Sequence, residues 1–557
     1  GALSESGRGK LAPLADQVIV RENKGFDVEA WKAGLEHIGW DVISHYDELL
    51  LMNDTCFGPL YPFKAVFDEM NSRCVDFWGL NGCPLRPARR GWKPPRRGFV
   101  PAHLCSNFIC ARKTVLQSPL FKAYWKALPP IKSFKDAVVK HEFLFTNFFE
   151  DRGFVSGKFV AEDDLYELAD YPLILMAKEL VANRKCPVFK KKSFTHFDEF
   201  CAKSASGETR ALYEYVRDHT DYDVELIWQN ILRVGNIAEV KNALHLNYVL
   251  PKGRLTREPT RRNVALFFDF HRLDAIEETM RYISHMPDYA HIYAATDTEE
   301  KRAALERELG KTGFRREVKV SEKRGMLALL DRFRGRLARY EAACFASDER
   351  RDGGFPHRGL DNVLGSRAFI ENVLGVFEAE ERLGVLSPPP DHEPRVEYRE
   401  NEWGGGFGLT KRLLEALGVD APLDESKPPV AAFGTCLWFR PKALARLLEA
   451  DWKRGDFFRG TPSEAPPSLE RLNRAVERSV GYVAQSAGCY SGWLMHDGDA
   501  PQEMTSLYYS MTSLQVSRFW KITKPARWAI ALLKRLHAAY SRWRFRLHRP
   551  KTIPPAL

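Results

Sequence analysis

The feature that most restricts the fold of this chain is the alternation of short apolar runs with segments of helical periodicity. ELLLM (48–52) and VDFWGL (75–80) are typical of buried strands, and FKAVFDEMN (63–71) between them has the spacing of an amphipathic helix. The same rhythm returns at NVALFFDF (263–270) and continues beyond it. Alternating strands and helices predict a mostly parallel sheet with helices on both faces, and therefore an α/β fold.

The polar, basic segment PKGRLTREPTRR, residues 251–262, divides this alternation into two stretches and has the composition of a linker. We expect an N-terminal domain over residues 1–250, which includes a helical region at 198–247. A second domain is expected over residues 263–515, followed by a tail over 516–557. A chain of 557 residues is long enough for domains of this size.

QVIVREN (17–23) is rich in β-branched residues, and we expect it to be a strand. The segment before it, GALSESGRGKLAPLA, has the character of a helix that follows an earlier strand. We therefore expect the chain to begin inside a longer protein, with the first strand of the fold missing from it.

The formal charge of +10 is concentrated in the tail. Residues 516–557 contain eleven Lys and Arg and no Asp or Glu, so that 10 − 11 leaves the preceding residues at −1. Nucleic-acid enzymes more often carry their positive stripe on the folded body, and we expect no nucleic-acid partner. The ten cysteines form no CxxC pair and no zinc-type cluster, which favours reduced thiols in the cytoplasm.

Polar residues follow several of the predicted strands. Asn23, Gly25 and Asp27 stand between a predicted strand and a helix, and Asn53-Asp54 directly follows ELLLM. Open α/β sheets bind ligands at the carboxyl ends of their strands, so these residues are candidates for a binding site. Simpler interpretations remain open: Asp27 is a suitable helix N-cap, and Asn53-Asp54 is a common turn sequence.

Glu142 lies in KHEFLFTNFFEDRGF (140–154), a segment with helical spacing that ends at Gly153. It is a candidate functional residue. The alternative is an exposed acid in the first turn that favours the helix dipole.

In combination, these motifs resemble the rhamnan synthesis protein F family, bacterial glycosyltransferases of surface polysaccharides. The order is ReN-x-GfD, ND-x-x-x-GP, DFWG and a glutamate ahead of Gly-Phe, and the resemblance extends from about residue 10 to residue 510. It also includes five further segments, which are CPVFKKKSF (186–194), TDYDVELIWQNILR (220–233), NEWGGGF (401–407), AAFGTCLWFRPKAL (431–444) and YVAQSAGCYSGWLM (482–495).

The resemblance implies a GT-A-like, Rossmann-like fold that binds a sugar nucleotide, expected to be dTDP-rhamnose, at the sheet's carboxyl edge. It implies that Asp54 holds a divalent ion, Mg²⁺ or Mn²⁺, with Asn53 beside it in the donor site. Such ions take oxygen ligands from one or two carboxylates and from substrate phosphates. Asn23, Gly25 and Asp27 resemble the loop that approaches the nucleoside. Glu142 then corresponds to the general base that takes the proton from an acceptor hydroxyl in an inverting reaction.

The second domain resembles a further GT-A-like domain, although VSEKRGMLALL (320–330) and CFASDERRD (344–352) depart from the family's polar motifs. We therefore expect its chemistry to be lost or changed. Its candidate ligand-binding residues, for which turn and core positions are the simpler interpretation, are Trp403, Gly404, Gly405, Phe433, Gly434, Gln485 and Trp493.

The tail has the pattern of a basic amphipathic helix. Apolar residues recur three or four apart, and cations occupy much of the rest. Such helices lie in the interface of anionic membranes, although a helix packed on the protein itself is an alternative. The candidate membrane residues are Trp528, Leu532, Leu536 and Trp543, with Lys534 and Arg535.

These expectations together predict a glycosyltransferase that is peripheral on the cytoplasmic face of the bacterial inner membrane. Its acceptor would be a lipid-linked glycan. The alternative is a non-catalytic glycan-binding or assembly protein that retains the fold.

Overall fold

The computed structural model describes residues 3–87, 99–169, 171–195, 208–256, 259–260, 263–349, 356–390, 403–452, 467–516 and 522–548. The chain forms two compact units. The first comprises residues 1–193, 211–222 and 522–557, and the second comprises residues 194–210 and 223–521.

In its described residues, the first unit contains one main sheet and three short two-stranded ribbons. Its strands are β1 (Glu48–Met52), β2 (Cys56–Phe57), β3 (Phe77–Gly79), β4 (Gly82–Cys83), β5 (Arg86–Pro87), β6 (Phe99–Val100), β7 (His103–Leu104), β8 (Phe108–Arg112), β9 (Ser156–Lys158) and β10 (Phe189–Lys190). Its helices are Glu5–Leu11, Phe26–Ile38, Trp40–Ile43, Phe63–Asn71, Lys113–Leu116, Pro119–Ala127, Phe134–Ala137, the π-helical Val138–Glu142, Phe143–Glu150, Leu165–Leu168, Pro172–Leu175 and Ala177–Ala182.

The main sheet of this unit has the order β1-β8-β3-β9. β8 is antiparallel to both β1 and β3, and only β3 and β9 are parallel. The prediction of a mostly parallel sheet is therefore wrong for this unit. In its described part, the connection from β3 to β8 consists of short two-stranded ribbons. A parallel return would need a crossover connection, usually a helix.

Residues 17–23 form no strand, so that prediction is also wrong. Their side chains are mostly exposed, and no strand in the described part of the chain supplies backbone partners. The Arg21 guanidinium instead holds the next turn by donating to the carbonyls of Lys24 and Phe26, at 2.7 and 2.8 Å. A segment with high β-propensity forms a strand only where a partner strand is present.

Alternate residues of β3 and β8 enter different apolar clusters, because side chains along a strand point to opposite faces. Phe77 and Ile109 pack with Phe149 on one face, whereas Trp78 and Phe108 pack with the Phe63–Asn71 helix on the other. Both faces of the sheet are therefore covered at β3 and β8, whereas Leu50 and Met52 of the edge strand β1 are exposed.

The second unit is built on an eight-stranded sheet of order β11-β18-β16-β17-β15-β12-β13-β14. β17 is antiparallel to its two neighbours, and the remaining pairs are parallel. The strands are β11 (Asn247–Leu250), β12 (Val264–Phe270), β13 (His291–Thr296), β14 (Arg315–Val320), β15 (Ala342–Ser347), β16 (Leu383–Ser387), β17 (Leu437–Phe439) and β18 (Tyr490–His496).

The α/β architecture predicted from the alternation is confirmed in this unit. All residues of β12 are buried, as expected of a central strand covered on both faces. β13 and β14 extend from one side of β12 and β15 lies on the other, so the strand order reverses at β12 and β15. β11 belongs to this sheet although it precedes the predicted linker at 251–262, of which residues 257–258 and 261–262 lie outside the described part.

Further helices occur along the described part of the chain. They are Lys192–Thr195, Glu208–His219, Glu225–Val234, Ile237–Ala243, the 3₁₀ turn Leu273–Ala275, Ile276–Ser284, Glu299–Gly310, Gly325–Leu337, Pro356–Leu364, Arg367–Ala379, Phe407–Ala416, the 3₁₀ turn Pro441–Leu444, Ala445–Glu449, Leu469–Ser486, Ala500–Val516 and Lys524–His548.

The predicted helix in the tail is present as Lys524–His548. Trp528, Leu532, Leu536 and Trp543 are all exposed on it. The side chains of Lys534 and Arg535 lie outside the described part of the structure. Among the described helices, none is long and apolar enough to cross a membrane.

Candidate functional site

Polar residues from four strands of the first unit meet at one edge of its sheet. Asn53 follows β1 and Asn81 follows β3, while Asn107 precedes β8, which runs in the opposite direction. Glu162 lies beyond β9, which is parallel to β3. The antiparallel strand thus contributes its beginning where the others contribute their ends. This edge is the candidate functional site.

The structure joins two of the predicted donor-site residues, which are 26 positions apart in the chain. The Asn53 amide donates to Asp27 Oδ2 at 2.7 Å, and Asn53 Oδ1 accepts from the Thr55 hydroxyl at 2.6 Å. Asn53 Oδ1 also accepts from the Thr55 backbone N–H at 3.2 Å, which is the side-chain turn that the simpler interpretation predicted. Asn53 therefore shapes a turn and orients the Asp27 carboxylate at the same time.

The loop before Asp27 requires a glycine. Gly25 has φ +71° and precedes the Phe26–Ile38 helix, so Gly25 and not Asp27 occupies the N-cap position. A Cβ on Gly25 would come within 2.2 Å of the Glu29 side chain. Asp27 instead accepts from the Val28 N–H at 2.9 Å with Oδ1, and Asn23 is exposed.

Asp54, the predicted metal ligand, has a 99% exposed side chain. Its closest charged neighbour is a cation, since Lys191 Nζ lies 3.9 Å from Asp54 Oδ2. Among the described residues, no three His, Cys, Asp or Glu side chains are grouped to hold a metal ion. One exposed carboxylate beside an ammonium group does not form a cation site by itself. The divalent ion therefore stays a prediction to which the residues around Asp54 lend no support.

Glu142, the predicted base, occupies the last position of a π-helical segment inserted between two α-helices. The alternative of a first-turn acid is thereby wrong, because helical residues precede Glu142 from Phe134 onward. Its carboxylate accepts hydrogen bonds from the backbone N–H and the hydroxyl of Ser106, the first at 3.2 Å. Single π-turns of this kind occur frequently at functional sites. The Glu142 side chain is 24% exposed and so remains accessible.

A buried histidine lies next to this carboxylate. His103 Nδ1 donates to the Pro101 carbonyl at 2.7 Å, and His103 Nε2 lies 3.8 Å from Glu142 Oε1. Burial lowers the pKa of His103, against the opposing charge of Glu142. Neutral His103 then presents a lone pair beside Glu142, so both groups facing this gap are proton acceptors. Sequence reasoning missed His103, because nothing in its local pattern separates it from a core histidine.

Glu162 is a second carboxyl group at this edge that sequence reasoning missed. It is fully buried and accepts from the Asn81 amide at 2.6 Å and from the Gly82 N–H at 2.5 Å. Burial raises the pKa of Glu162 to about 7, although both hydrogen bonds oppose the rise. The surrounding sequence is polar and typical of a loop, so no sequence signal indicates this burial.

We expect the pKa of Glu162 to make folding depend on pH. The unfolded chain releases this proton near pH 4.5 and the folded protein near pH 7, so the contribution to stability is complete below pH 4.5 and is lost as the pH rises to 7. The loss is on the order of 3 kcal/mol. The free energy of unfolding of Glu162→Gln, measured with urea across this range, is expected to increase by that amount relative to the wild type as the pH rises. A difference that stays constant from pH 4.5 to pH 8 would contradict the assignment.

In the second unit, several of the predicted ligand-binding residues are engaged in packing. Trp403 is 2% exposed, stacks on Tyr482 and donates from its indole N–H to the Lys427 carbonyl at 2.8 Å. Gln485 donates to the carbonyls of Leu232 and Gly235, both at 2.7 Å.

The other predicted residues of this unit lie at turns or at partly buried positions. Gly404, Gly405 and Gly434 have positive φ, and Phe433 is half-buried. The half-buried Trp493 faces the Lys241 ammonium, 3.2 Å from the ring centroid. Ligand binding by these residues stays a prediction.

The reversal point of the second sheet carries charged residues that the sequence analysis did not select. Asp269 Oδ2 accepts from His271 Nε2 at 2.5 Å and from the Gly325 N–H at 2.6 Å. Asp348, at the end of β15, accepts from the His271 N–H at 2.6 Å and from the Thr279 hydroxyl at 2.9 Å. Burial would lower the pKa of His271, but the hydrogen bond to Asp269 and nearby carboxylates raise it. The ends of β12 and β15 are thus tied together by buried carboxylates.

Comparison with known proteins agrees with the motifs. A model of the family described as rhamnan synthesis protein F matches residues 1–489, which is nearly the whole chain. No curated protein is similar enough to provide a second comparison. A match of this extent confirms the resemblance drawn from the motifs and indicates a role in polysaccharide biosynthesis. The chain therefore belongs to the rhamnan synthesis protein F family.

Proposed function

We propose that this protein is a glycosyltransferase that moves L-rhamnose, or a similar deoxysugar, from a dTDP-sugar to a growing cell-surface polysaccharide of the rhamnan, O-antigen or capsule type. The observation that carries the proposal is the accessible Glu142 carboxylate, held by Ser106 at the sheet edge where the strand ends of the first unit converge. Family membership supports the polysaccharide as product.

The proposed reaction is a single displacement with inversion. The acceptor hydroxyl attacks the anomeric carbon, its proton passes to Glu142, and the bond from the anomeric carbon to the diphosphate oxygen breaks with its electron pair on dTDP. Ser106 fixes the carboxylate by donating two hydrogen bonds to it. Asp27, oriented by Asn53, is the acceptor for hydrogen-bond donors of the nucleoside.

We also propose that both units are GT-A-like. In the second unit the support is a doubly wound sheet whose order reverses at β12 and β15, the position where such sheets bind ligands. The departures at 320–330 and 344–352 favour altered chemistry there, so transfer is assigned to the first unit.

The test is transfer from dTDP-β-L-rhamnose to a lipid-linked glycan, followed by mass spectrometry. Product that carries one added deoxyhexose supports the proposal. If no sugar nucleotide is consumed and glycan binding survives Asp54→Ala and Glu142→Ala, the chain is instead a glycan-binding or assembly protein that retains the fold.

We propose that the tail holds the protein on the inner leaflet of the membrane, at anionic lipid. The exposed Trp528 and Trp543 lie on a helix in a segment without acidic residues. Replacing both with Ser is expected to weaken binding to phosphatidylglycerol vesicles by at least about tenfold, since burying an aromatic side chain is worth about 1.5–3 kcal/mol. Co-sedimentation measures this, with Tyr509→Ser, an exposed aromatic outside the tail, as control. Equal binding by the two variants would contradict the proposal.

A further inference from the structure

The motif CPVFKKKSF (186–194) has no role in the reaction described so far, although it lies at the candidate site. β10, within this motif, pairs with β2 in register Phe189 to Phe57 and Lys190 to Cys56. The Leu60 N–H donates to the Pro187 carbonyl at 2.8 Å, and the Lys191 N–H donates to the Thr55 carbonyl at 3.0 Å. These bonds join the motif to the turn that follows β1.

The close approach of the two segments depends on Gly58. Its φ is +146°, and a Cβ at this position would come within 2.6 Å of the Pro187 carbonyl oxygen. The motif with Asn-Asp and Gly-Pro (53–59) therefore meets the motif that begins with Cys-Pro (186–194) in the same ribbon. The consequence is that two lysines are placed beside Asn53-Asp54-Thr55.

The ammonium groups of these lysines have weak partners. Lys190 Nζ lies 3.0 Å from the neutral Thr55 hydroxyl, and no carboxylate among the described residues is paired with it. Lys191 Nζ is 3.9 Å from Asp54, an exposed pair of the kind that contributes little. Both cations are thus free to exchange these contacts for a more highly charged anion. Lysine is a common phosphate ligand, acting as a compact charge.

A buried polar atom at the same place is available to a ligand. Asn107 is 4% exposed, and its Oδ1 has no hydrogen-bond partner within the described residues. It lines a narrow cavity together with Lys190, Cys56 and Asn81. A ligand hydroxyl or N–H would satisfy this oxygen, since buried polar atoms are seldom left unpaired.

We propose that Lys190 and Lys191 bind the diphosphate of the sugar nucleotide and neutralise it as it leaves, so that binding needs no divalent ion. The inference rests on the proposed function and specifies the donor site of the same reaction. It explains why a cation, and not a further metal ligand, lies beside Asp54, the predicted metal-binding residue. Positive side chains act on a departing diphosphate in the same electrostatic way as a metal ion.

The test is calorimetric titration of the full chain with dTDP, in EDTA and in Mg²⁺. We expect equal affinity in the two buffers, about tenfold weaker binding for Lys190→Met or Lys191→Met, and about a hundredfold weaker binding for the double variant. Methionine preserves the length of the side chain. Lys192→Met is the matched control, because the Lys192 ammonium lies 5.0 Å from the Phe134 ring centroid rather than at Thr55.

Each other outcome has a defined meaning. Binding that requires Mg²⁺, or lysine variants that bind as tightly as the control, overturns the inference and leaves the proposed function standing. No binding of dTDP by the wild type in either buffer overturns both. A melting curve of each variant without nucleotide separates lost binding from lost folding. If the double variant unfolds, the single variants and the comparison of the two buffers still decide the question.

Discussion

Replacing Glu142 with Gln is expected to lower the rate of sugar transfer by about 10²–10⁴-fold, the usual contribution of a general base. The amide keeps the size of the side chain and can still accept from the Ser106 N–H, but it cannot take a proton. We therefore expect the melting temperature to change little and the affinity for dTDP to remain. Single-turnover transfer from dTDP-β-L-rhamnose, with nucleotide binding measured in parallel, separates chemistry from binding.

The control for this substitution lies on the adjoining helical turns. Glu150→Gln removes an exposed carboxylate that accepts from the Ser156 hydroxyl at 2.5 Å, away from the strand ends. We expect it to leave transfer unchanged. Ser106→Ala tests the positioning of Glu142, because the carboxylate stays but loses the hydroxyl that orients it. We expect a smaller loss of transfer rate than for Glu142→Gln. Full activity of Glu142→Gln would exclude Glu142 as the base.

Replacing Arg358 with Met is expected to destabilise the second unit by about 3–5 kcal/mol, because it removes a cation that pairs with two buried carboxylates. Arg358 donates to Asp499 from Nε at 3.1 Å and from Nη2 at 3.2 Å, and it also pairs with Glu503. The side chains of Asp499 and Glu503 are 7% and 6% exposed. The Asn362 amide donates to Asp499 at 2.8 Å, which cannot replace a positive charge.

Urea unfolding at neutral pH measures this loss. Arg302→Met is the comparison, since Arg302 bridges Glu299 and Glu306 along one surface helix, and such pairs contribute about 0.3–0.5 kcal/mol. If the two substitutions cost the same, the Arg358 network is not a buried ion cluster.

Local patterns in the sequence predicted much of the secondary structure. Strand β1, the Phe63–Asn71 helix and strand β12 lie where the apolar spacing placed them. β12 is buried throughout, as its continuous apolar run predicted. β1 has the predicted position but not the predicted burial, because it is an edge strand in which Leu50 and Met52 are exposed. The family could also be identified from the sequence, because its motifs occur in a fixed order. The strand prediction for residues 17–23 was wrong because a strand needs a partner strand. No local sequence pattern indicates whether such a partner is present.

The partners at the candidate site were decided by the tertiary structure. The sequence by itself selected Asp27, Asn53 and Glu142 as polar residues beside predicted strands and helices. It did not indicate that Asn53 bonds Asp27, or that Ser106 holds Glu142. Nor did it indicate that Glu162 is buried, or that Lys190 reaches Thr55 across 135 positions. The physical reason is that periodicity records whether a residue faces the core, whereas strand direction and pairing between distant segments are fixed only when the sheet and its ribbons assemble.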